Sequence, residues 1–354
     1  MVDFNNLLGK ETFTYEDLAR YTQRFLAERP TIVLGTGATI PHGLPSMTML
    51  AEMLLSTIKS NPSGWSEFSK RLVETKDLEQ ALHDVPLPEE TVELLVEATW
   101  KIVSKKDVCV FEKLLREPVS FPLAKLFKYL LRTADSHLQV VTTNYDRLAE
   151  YAANYVRAYV STGMTPGWLQ RFAPESVNAV RRTAPGFDGQ VSILKVHGSL
   201  DWFRANMGDI VAVPLSRDIP QEMKPLVVTP GVSKYREVHK DPFRTVMSAA
   251  DAVLRHASCY LCVGYGFNDE HVQPILVNRV MKDDVPIVIV TKKLTPQTRT
   301  AFLITPPKKF IFLEEADGGT TIYCPEQPRG VILQSVSVWQ LNKFMNLITG
   351  IQGR

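Results

Sequence analysis

The chain has 354 residues, enough for one large α/β domain with an insertion or for two domains with well-buried cores. Its 40 Lys and Arg against 38 Asp and Glu give a formal charge of +2, and the basic pairs are scattered, so direct binding of nucleic acid is not expected. Four cysteines exclude a disulfide framework, and no stretch reaches the roughly 18 apolar residues of a membrane span. Because the first residues also show no secretory signal, we expect a soluble, cytoplasmic protein without a membrane partner.

The chain begins with a predicted helix and a buried strand. Residues 1 to about 29 place apolar residues at helical spacing, and Thr31–Leu34 is rich in β-branched residues, as a buried parallel strand is. The strand runs into Gly35 and Gly37, and a second turn, Gly43–Ser46, leads into a helix. Backbone N–H groups can converge at such a turn and hold a phosphate, although a glycine pair after a strand is often only a tight turn.

A helical pattern then continues from residue 47 to 133, which predicts a mostly helical insertion before the next strand of the sheet. That strand is His137–Thr142, and the polar residues Asn144 and Asp146 follow it at the start of another helical pattern. Ligands of open α/β sheets bind at the carboxyl ends of strands, so these side chains are candidates for a site. The same residues could equally serve as a helix cap.

Two later strands end in similar turns. Val191–Val196 is followed by His197 and a glycine, and the apolar run ASCYLCVG is followed by the glycine-rich turn GYGFND before a helix. Within that run, Cys259 and Cys262 form a CxxC pair, which we interpret as buried strand residues because no second pair accompanies it. Residues 160–190 are rich in Gly and Pro and predict surface loops.

The remaining chain predicts further strands and a terminal helix. VPIVIV and KKFIFL are strand patterns, and residues 291–354 contain no catalytic constellation. Repeats and long linkers are absent from the sequence, so we expect all of the strands to belong to one sheet. The expected fold class is α/β, with a parallel sheet flanked by helices.

Four motifs, GTGAT…GLPS, TTNYD, KVHGSLDW and VGYGFND, resemble in this order the motifs of the sirtuin superfamily, specifically its bacterial sirtuin-like, NAD-hydrolysing branch of antiphage defence. Each motif alone is weak, but the ordered set, spread over about 31–290, is specific. The resemblance implies a Rossmann-like, sirtuin-type NAD-binding core over residues 1–46 and 134–300. It leaves 47–133 as the helical insertion and 301–354 as C-terminal strands and helix, a candidate assembly surface.

The resemblance also implies roles for individual residues. Asn144 and His197 would be catalytic, with His197 as the general base, and Asp146 would hold the ribose and nicotinamide side of NAD+. The first turn would cradle the pyrophosphate, and the GYGFND turn would line the adenosine half. The full set of implied NAD-binding residues is Gly35, Gly37, Ala38, Thr39, Pro45, Thr143, Asp146, Gly264, Gly266 and Asp269.

The departures from the family indicate the reaction. Sirtuin deacylases carry two zinc-binding CxxC pairs, whereas this chain has one, and Gly43–Ser46 replaces the Asp-Phe-Arg segment that deacylases carry. We therefore expect no metal and an activity that cleaves NAD+, as substrate, to ADP-ribose and nicotinamide. Nicotinamide leaves NAD+ as a neutral molecule, so the reaction does not need the general acid of ordinary glycoside hydrolysis.

Three alternatives remain open at this point: a sirtuin-type deacylase, an ADP-ribosyltransferase, and a non-catalytic subunit that senses NAD or ADP-ribose. Since an unrestrained NAD hydrolase would kill its own cell, control is implied by the function. The resemblance to stand-alone defence proteins implies a homo-oligomer that pairs with a HerA-type ATPase.

Overall fold

The computed structural model describes residues 13–117, 121–132, 136–180, 186–228 and 240–350. The helices are α1 (Tyr15–Ala27), α2 (Met47–Thr57), α3 (Trp65–Thr75), α4 (Leu78–Asp84), α5 (Glu89–Arg116), α6 (Pro122–Leu130), α7 (Leu148–Tyr155), α8 (Phe243–His256), α9 (Val272–Lys282), α10 (Pro296–Phe302) and α11 (Leu341–Thr349). The strands are β1 (Thr31–Leu34), β2 (His137–Thr142), β3 (Ala158–Ser161), β4 (Gln170–Arg171), β5 (Gly189–Lys195), β6 (Gly198–Ala205), β7 (Ile210–Ala212), β8 (Met223–Val227), β9 (Tyr260–Val263), β10 (Ile287–Val290), β11 (Phe310–Ala316), β12 (Gly319–Cys324) and β13 (Gln327–Gln334).

The predicted first helix is confirmed as α1, and its portion at residues 1–12 lies outside the described residues. A capping box fixes its start: the Thr14 hydroxyl accepts a hydrogen bond from Asp17 N, and the Asp17 carboxylate accepts one from Thr14 N. The helix leads directly into β1, an interior strand of the main sheet next to its middle strand β9.

The main sheet has nine strands in the order β13-β12-β11-β10-β9-β1-β2-β5-β3. The strands from β11 to β3 are mutually parallel, and β12 and β13 add an antiparallel edge. Helices α2 to α6 lie between β1 and β2 in the chain, so a mostly helical insertion follows the first glycine-rich turn. The predicted fold class, a parallel sheet flanked by helices, is therefore confirmed.

Both faces of the sheet are buried. In β1, Ile32 and Leu34 pack into one hydrophobic cluster and Val33 packs into another, because successive side chains of a strand point to opposite faces. Helices cover both clusters, and every residue of β1 is buried. This two-sided burial explains why β1, β9 and β10 are nearly continuous apolar runs.

The expectation of a single sheet is wrong. Strands β4, β7, β6 and β8 form a second, antiparallel sheet in that order. The chain reverses immediately after His197, where Gly198 has φ +88° and lies so close to β8 that a Cβ atom would be 2.0 Å from Leu226 O. The region predicted as loops, residues 160–190, also overlaps β3, which pairs with β5 at the far edge of the main sheet.

Candidate active site

Four turns at the carboxyl ends of neighbouring parallel strands meet at one cleft with a volume of about 190 Å³. They follow β9, β1, β2 and β5, which are adjacent in this order. From β1 the chain proceeds to β2 and β5 on one side and returns to β9 on the other, and ligands of open α/β sheets bind where the strand order reverses in this way. The predicted site residues that line the cleft are Gly35, Thr39, Pro45, Thr143, Asn144, Asp146, His197, Gly266 and Asp269.

The other three predicted residues, Gly37, Ala38 and Gly264, join two of these turns and are not among the lining residues. Gly37 N donates a hydrogen bond of 3.0 Å to Gly264 O. A Cβ atom on Gly264 would lie 2.2 Å from Ala38 N, and its φ of +58° suits glycine. These glycines therefore allow the turns after β1 and β9 to pack backbone against backbone, which shapes the floor of the cleft.

Asn144 is held rigidly at the end of β2. Its Nδ2 donates to Gly35 O at 3.0 Å, and its backbone N–H donates to the Thr142 hydroxyl at 3.1 Å. The side chain is 5% exposed, and among the described residues Asn144 Oδ1 has no hydrogen-bond partner. A buried acceptor without a partner is costly in the protein alone, so Oδ1 is poised to accept a hydrogen bond from a ligand in the cleft.

His197 and Asp269 meet across the cleft. His197 Nε2 lies 2.8 Å from Asp269 Oδ2, and their side chains are 16% and 6% exposed. The other carboxylate oxygen, Oδ1, accepts hydrogen bonds from His271 N and Val272 N at the start of α9. Asp269 was predicted as an NAD-binding residue, and in the structure it binds the first N–H groups of α9 and also contacts the imidazole.

Asp146 lines the cleft beside Asn144, and its Oδ1 accepts a hydrogen bond from Leu148 N. Burial raises the pKa of its carboxyl from 3.8 to about 7, although the nearby Lys195 ammonium acts in the opposite direction. Lys195 is itself fully buried and donates to Asp146 O and to Glu150 Oε1. A carboxyl that titrates near neutral pH in a cleft is characteristic of a functional site.

A buried charge network supports the turns that carry Asn144 and His197. The Arg147 guanidinium, 1% exposed, pairs with Asp107 of α5 at 2.7 Å and with Asp201 of β6 at 2.8 Å. Tyr151 donates a further hydrogen bond to Asp107. The network connects the helical insertion, the segment after Asn144 and the hairpin after His197.

Some lining residues were not predicted from the sequence. Tyr265 lies between Gly264 and Gly266, so its motif position could have revealed it; its hydroxyl is buried and has no hydrogen-bond partner in the described part of the chain. Burial raises the pKa of this phenol well above 10.0, which keeps it a hydrogen-bond donor. The insertion contributes residues that no local pattern marks, namely Met47, Leu50, Glu79 and Val103.

Cys259 and Cys262 are fully buried, as predicted. Burial raises the pKa of both thiols. Across the described ranges, no group of three or more His, Cys, Asp or Glu side chains is arranged to hold a metal ion. Among the described helices, none has the length and apolar character of a membrane span.

Comparison with protein families gives a match over part of the chain. Residues 138–303 match a SIR2-like domain. The matched range includes Asn144, His197 and the turn after β9, and it begins beyond the first glycine-rich turn. The comparison with curated proteins gave no significant match.

Several solved structures resemble the SIR2-like domain and its flanking elements. A Sir2 homologue bound to NAD has 14% identity and a TM-score of 0.46, covering 94% of this chain and 93% of that one. A Sir2 homologue mutant in complex with ADP-ribose has 13% identity and a TM-score of 0.47, covering 94% and 98%. A structure from work on the mechanism and regulation of Sir2 enzymes has 14% identity and a TM-score of 0.45, covering 95% and 100%.

Proposed function

We propose that this chain is an NAD+ glycohydrolase that converts NAD+ and water to ADP-ribose and nicotinamide. The observation that carries the proposal is the convergence of Asn144 Oδ1 and the His197 imidazole on one cleft, beside a glycine turn suited to phosphate. The match of residues 138–303 to a SIR2-like domain supports it, because the motifs of this domain resemble those of NAD-consuming sirtuin-like proteins.

NAD+ hydrolysis mainly requires the protein to position the reacting groups. The leaving nicotinamide departs as a neutral molecule, so the protein must hold the ribose, stabilise positive charge that develops at the anomeric carbon, and orient a water. In our proposal Asn144 Oδ1 accepts from a ribose hydroxyl and His197 takes the proton of the attacking water. A positioned base of this kind contributes about 10²–10⁴-fold to the rate.

Two features favour hydrolysis over deacylation of acyl-lysine. The CxxC cysteines are packed inside the sheet, where burial raises the thiol pKa and so disfavours the thiolates that bind zinc. Gly43–Ser46 occupies the place where sirtuin deacylases carry Asp-Phe-Arg, and in this chain it leads straight into α2. Leu44 and Pro45 of this segment line the cleft, as does Met47 at the start of α2.

We also propose that the protein acts on cytoplasmic NAD+ in antiphage defence, as a homo-oligomer controlled by a HerA-type ATPase. This extension rests on the resemblance to stand-alone sirtuin-like defence proteins. Mass measurement of the purified protein, alone and mixed with a co-encoded ATPase, tests it. An active monomer whose turnover is indifferent to the ATPase contradicts the extension and leaves the hydrolase proposal intact.

The direct test of the hydrolase is to incubate the purified protein with NAD+ and to measure the released nicotinamide by chromatography. Asn144→Ala and His197→Ala are each expected to reduce turnover by at least about 100-fold. Matched controls are Asn206→Ala and His83→Ala, which remove the same residue types from exposed positions. The controls are expected to retain wild-type turnover.

The products separate the hydrolase from its alternatives. Equal amounts of nicotinamide and ADP-ribose support hydrolysis, whereas nicotinamide with a modified acceptor protein or peptide supports transfer. Binding of ADP-ribose without nicotinamide release, or unchanged turnover in both site variants, contradicts the proposal.

A further inference from the structure

We infer that Asp269 is a positioning residue that fixes the tautomer of His197 and so makes Nδ1 the basic nitrogen of the site. Asp269 Oδ2 lies 2.8 Å from His197 Nε2, an ion-pair contact at hydrogen-bond distance whose angle falls short of a formed hydrogen bond in this structure. The inference deepens the proposed hydrolase, because it names the group that prepares its general base.

The carboxylate cannot easily turn away from the imidazole. Its second oxygen accepts hydrogen bonds from His271 N at 3.0 Å and Val272 N at 2.9 Å, the first free backbone donors of α9. Only 6% of the side chain is exposed. One oxygen of Asp269 is thus committed to the helix, which aims the other at His197.

This orientation has a chemical consequence for the ring. An ionised carboxylate accepts hydrogen bonds and donates none, so the nitrogen that faces it carries the proton. In the neutral imidazole the other nitrogen, Nδ1, is then unprotonated and can accept a proton. Other titratable groups line the same cleft, namely Glu79, Tyr145, Asp146 and Tyr265, but the ion-pair contact of the His197 ring is with Asp269.

The step that Asp269 prepares can be written with its atoms balanced. The bond between the anomeric carbon and the nicotinamide nitrogen breaks, and its electron pair stays with nicotinamide. A bond forms from the water oxygen to the anomeric carbon, and the water proton passes to His197 Nδ1 and then to solvent. Asp269 keeps its charge throughout and stabilises the imidazolium that forms.

The test is Asp269→Asn, combined with ¹⁵N NMR of the histidine rings at about pH 8.5, where an ordinary histidine is neutral. An asparagine that still caps α9 through its oxygen presents its NH₂ group to His197. Because that group donates, Nε2 must accept and the proton moves to Nδ1. The His197 signals, assigned by their loss in His197→Gln, are expected to show Nε2–H in the wild type and Nδ1–H in the variant.

Activity provides the second measurement. With NAD+ as substrate, Asp269→Asn is expected to lower kcat by at least about tenfold with little change in KM, since the tautomer affects proton transfer more than binding. The matched control is Asp77→Asn, which makes the same change at another helix cap, where Oδ1 accepts from Glu79 N and Gln80 N. The control is expected to change neither the His197 signals nor kcat.

The outcomes separate this inference from the proposed function. An Nε2–H signal that persists in Asp269→Asn overturns the inference. If the wild type consumes NAD+, an Asp269→Asn variant with the same kcat also overturns it. If the tautomer changes as expected but no preparation of the protein consumes NAD+, the positioning role stands and the proposed hydrolase fails.

Discussion

Asp146 makes the stability of this protein depend on pH in a way that can be calculated. Raising the carboxyl pKa from 3.8 to about 7 corresponds to about 4 kcal/mol of preference for the protonated form in the folded state. Between these two values the folded state binds more protons than the unfolded state, so the free energy of unfolding falls as the pH rises. The loss is complete above the folded pKa.

Asp146→Asn is expected to remove this dependence. The amide oxygen can still accept from Leu148 N, as Asp146 Oδ1 does, but it carries no charge that burial penalises. The variant should therefore gain stability over the wild type as the pH rises. About 1.5 kcal/mol of the effect is already present at pH 5, so the relative gain between pH 5 and pH 8 is about 2 to 3 kcal/mol.

The assay is urea unfolding of both proteins at several pH values, followed by circular dichroism. Asp209→Asn is the matched control, because this aspartate is exposed and pairs with Arg171 at the surface, where an ion pair contributes less than about 1 kcal/mol. Its stability difference from the wild type should not change between pH 5 and pH 8. If the Asp146→Asn difference also stays constant within about 0.5 kcal/mol, the assignment of a raised pKa to Asp146 is refuted.

Two further substitutions test the cleft and its support. Tyr265→Phe removes a buried hydroxyl that has no partner among the described residues, so the free energy of unfolding should stay unchanged or rise by up to about 1 kcal/mol. If this hydroxyl contacts the ligand, its loss should raise KM for NAD+ about 3- to 10-fold. Tyr155→Phe is the exposed control, and an unchanged KM in Tyr265→Phe would show that Tyr265 does not bind the substrate. Arg147→Met leaves the buried Asp107 and the half-buried Asp201 carboxylates without their cation and should lower the free energy of unfolding by about 3–5 kcal/mol in urea titrations. Arg217→Met, at an exposed ion pair, should cost less than about 1 kcal/mol, and equal costs for the two arginines would contradict the importance of the buried network.

The central strands could be predicted from the sequence because both faces of the sheet are buried. Thr31–Leu34 and Ile287–Val290 are short, mostly apolar runs, His137–Thr142 is half apolar and ends in Val-Val-Thr, and each forms a strand. Ala158–Ser161 was missed because it is a short edge strand whose middle residues are only partly buried. Strands β4 and β6 to β8 were not predicted as a separate sheet, because local sequence patterns do not indicate which distant segments pair with one another.

The same reasoning explains which parts of the site were predictable. Asn144 and His197 stand at the carboxyl ends of predicted strands, so the rule for parallel sheets brings them to one edge, and the structure places both on the cleft. Their partners could not be predicted in this way. His197 and Asp269 follow β5 and β9, which are separated by two strands, so their contact depends on the tertiary arrangement of the two turns. Glu79 lines the cleft because the fold brings α4 of the insertion to this edge of the sheet.

The buried network around Arg147 gives the helical insertion a direct part in the site. Arg147 follows Asn144 by three positions and contacts Asp107 from α5 and Asp201 from the hairpin that begins after His197. Buried ion pairs are seldom more stabilising than apolar packing, but separating them leaves uncompensated charges at a cost of several kcal/mol. Helix α5 is therefore tied to the turns that carry Asn144 and His197, and a displacement of the insertion that broke these contacts would disturb both residues together. Since Val103 of the same helix also lines the cleft, the insertion and the parallel sheet together form the framework of the cleft.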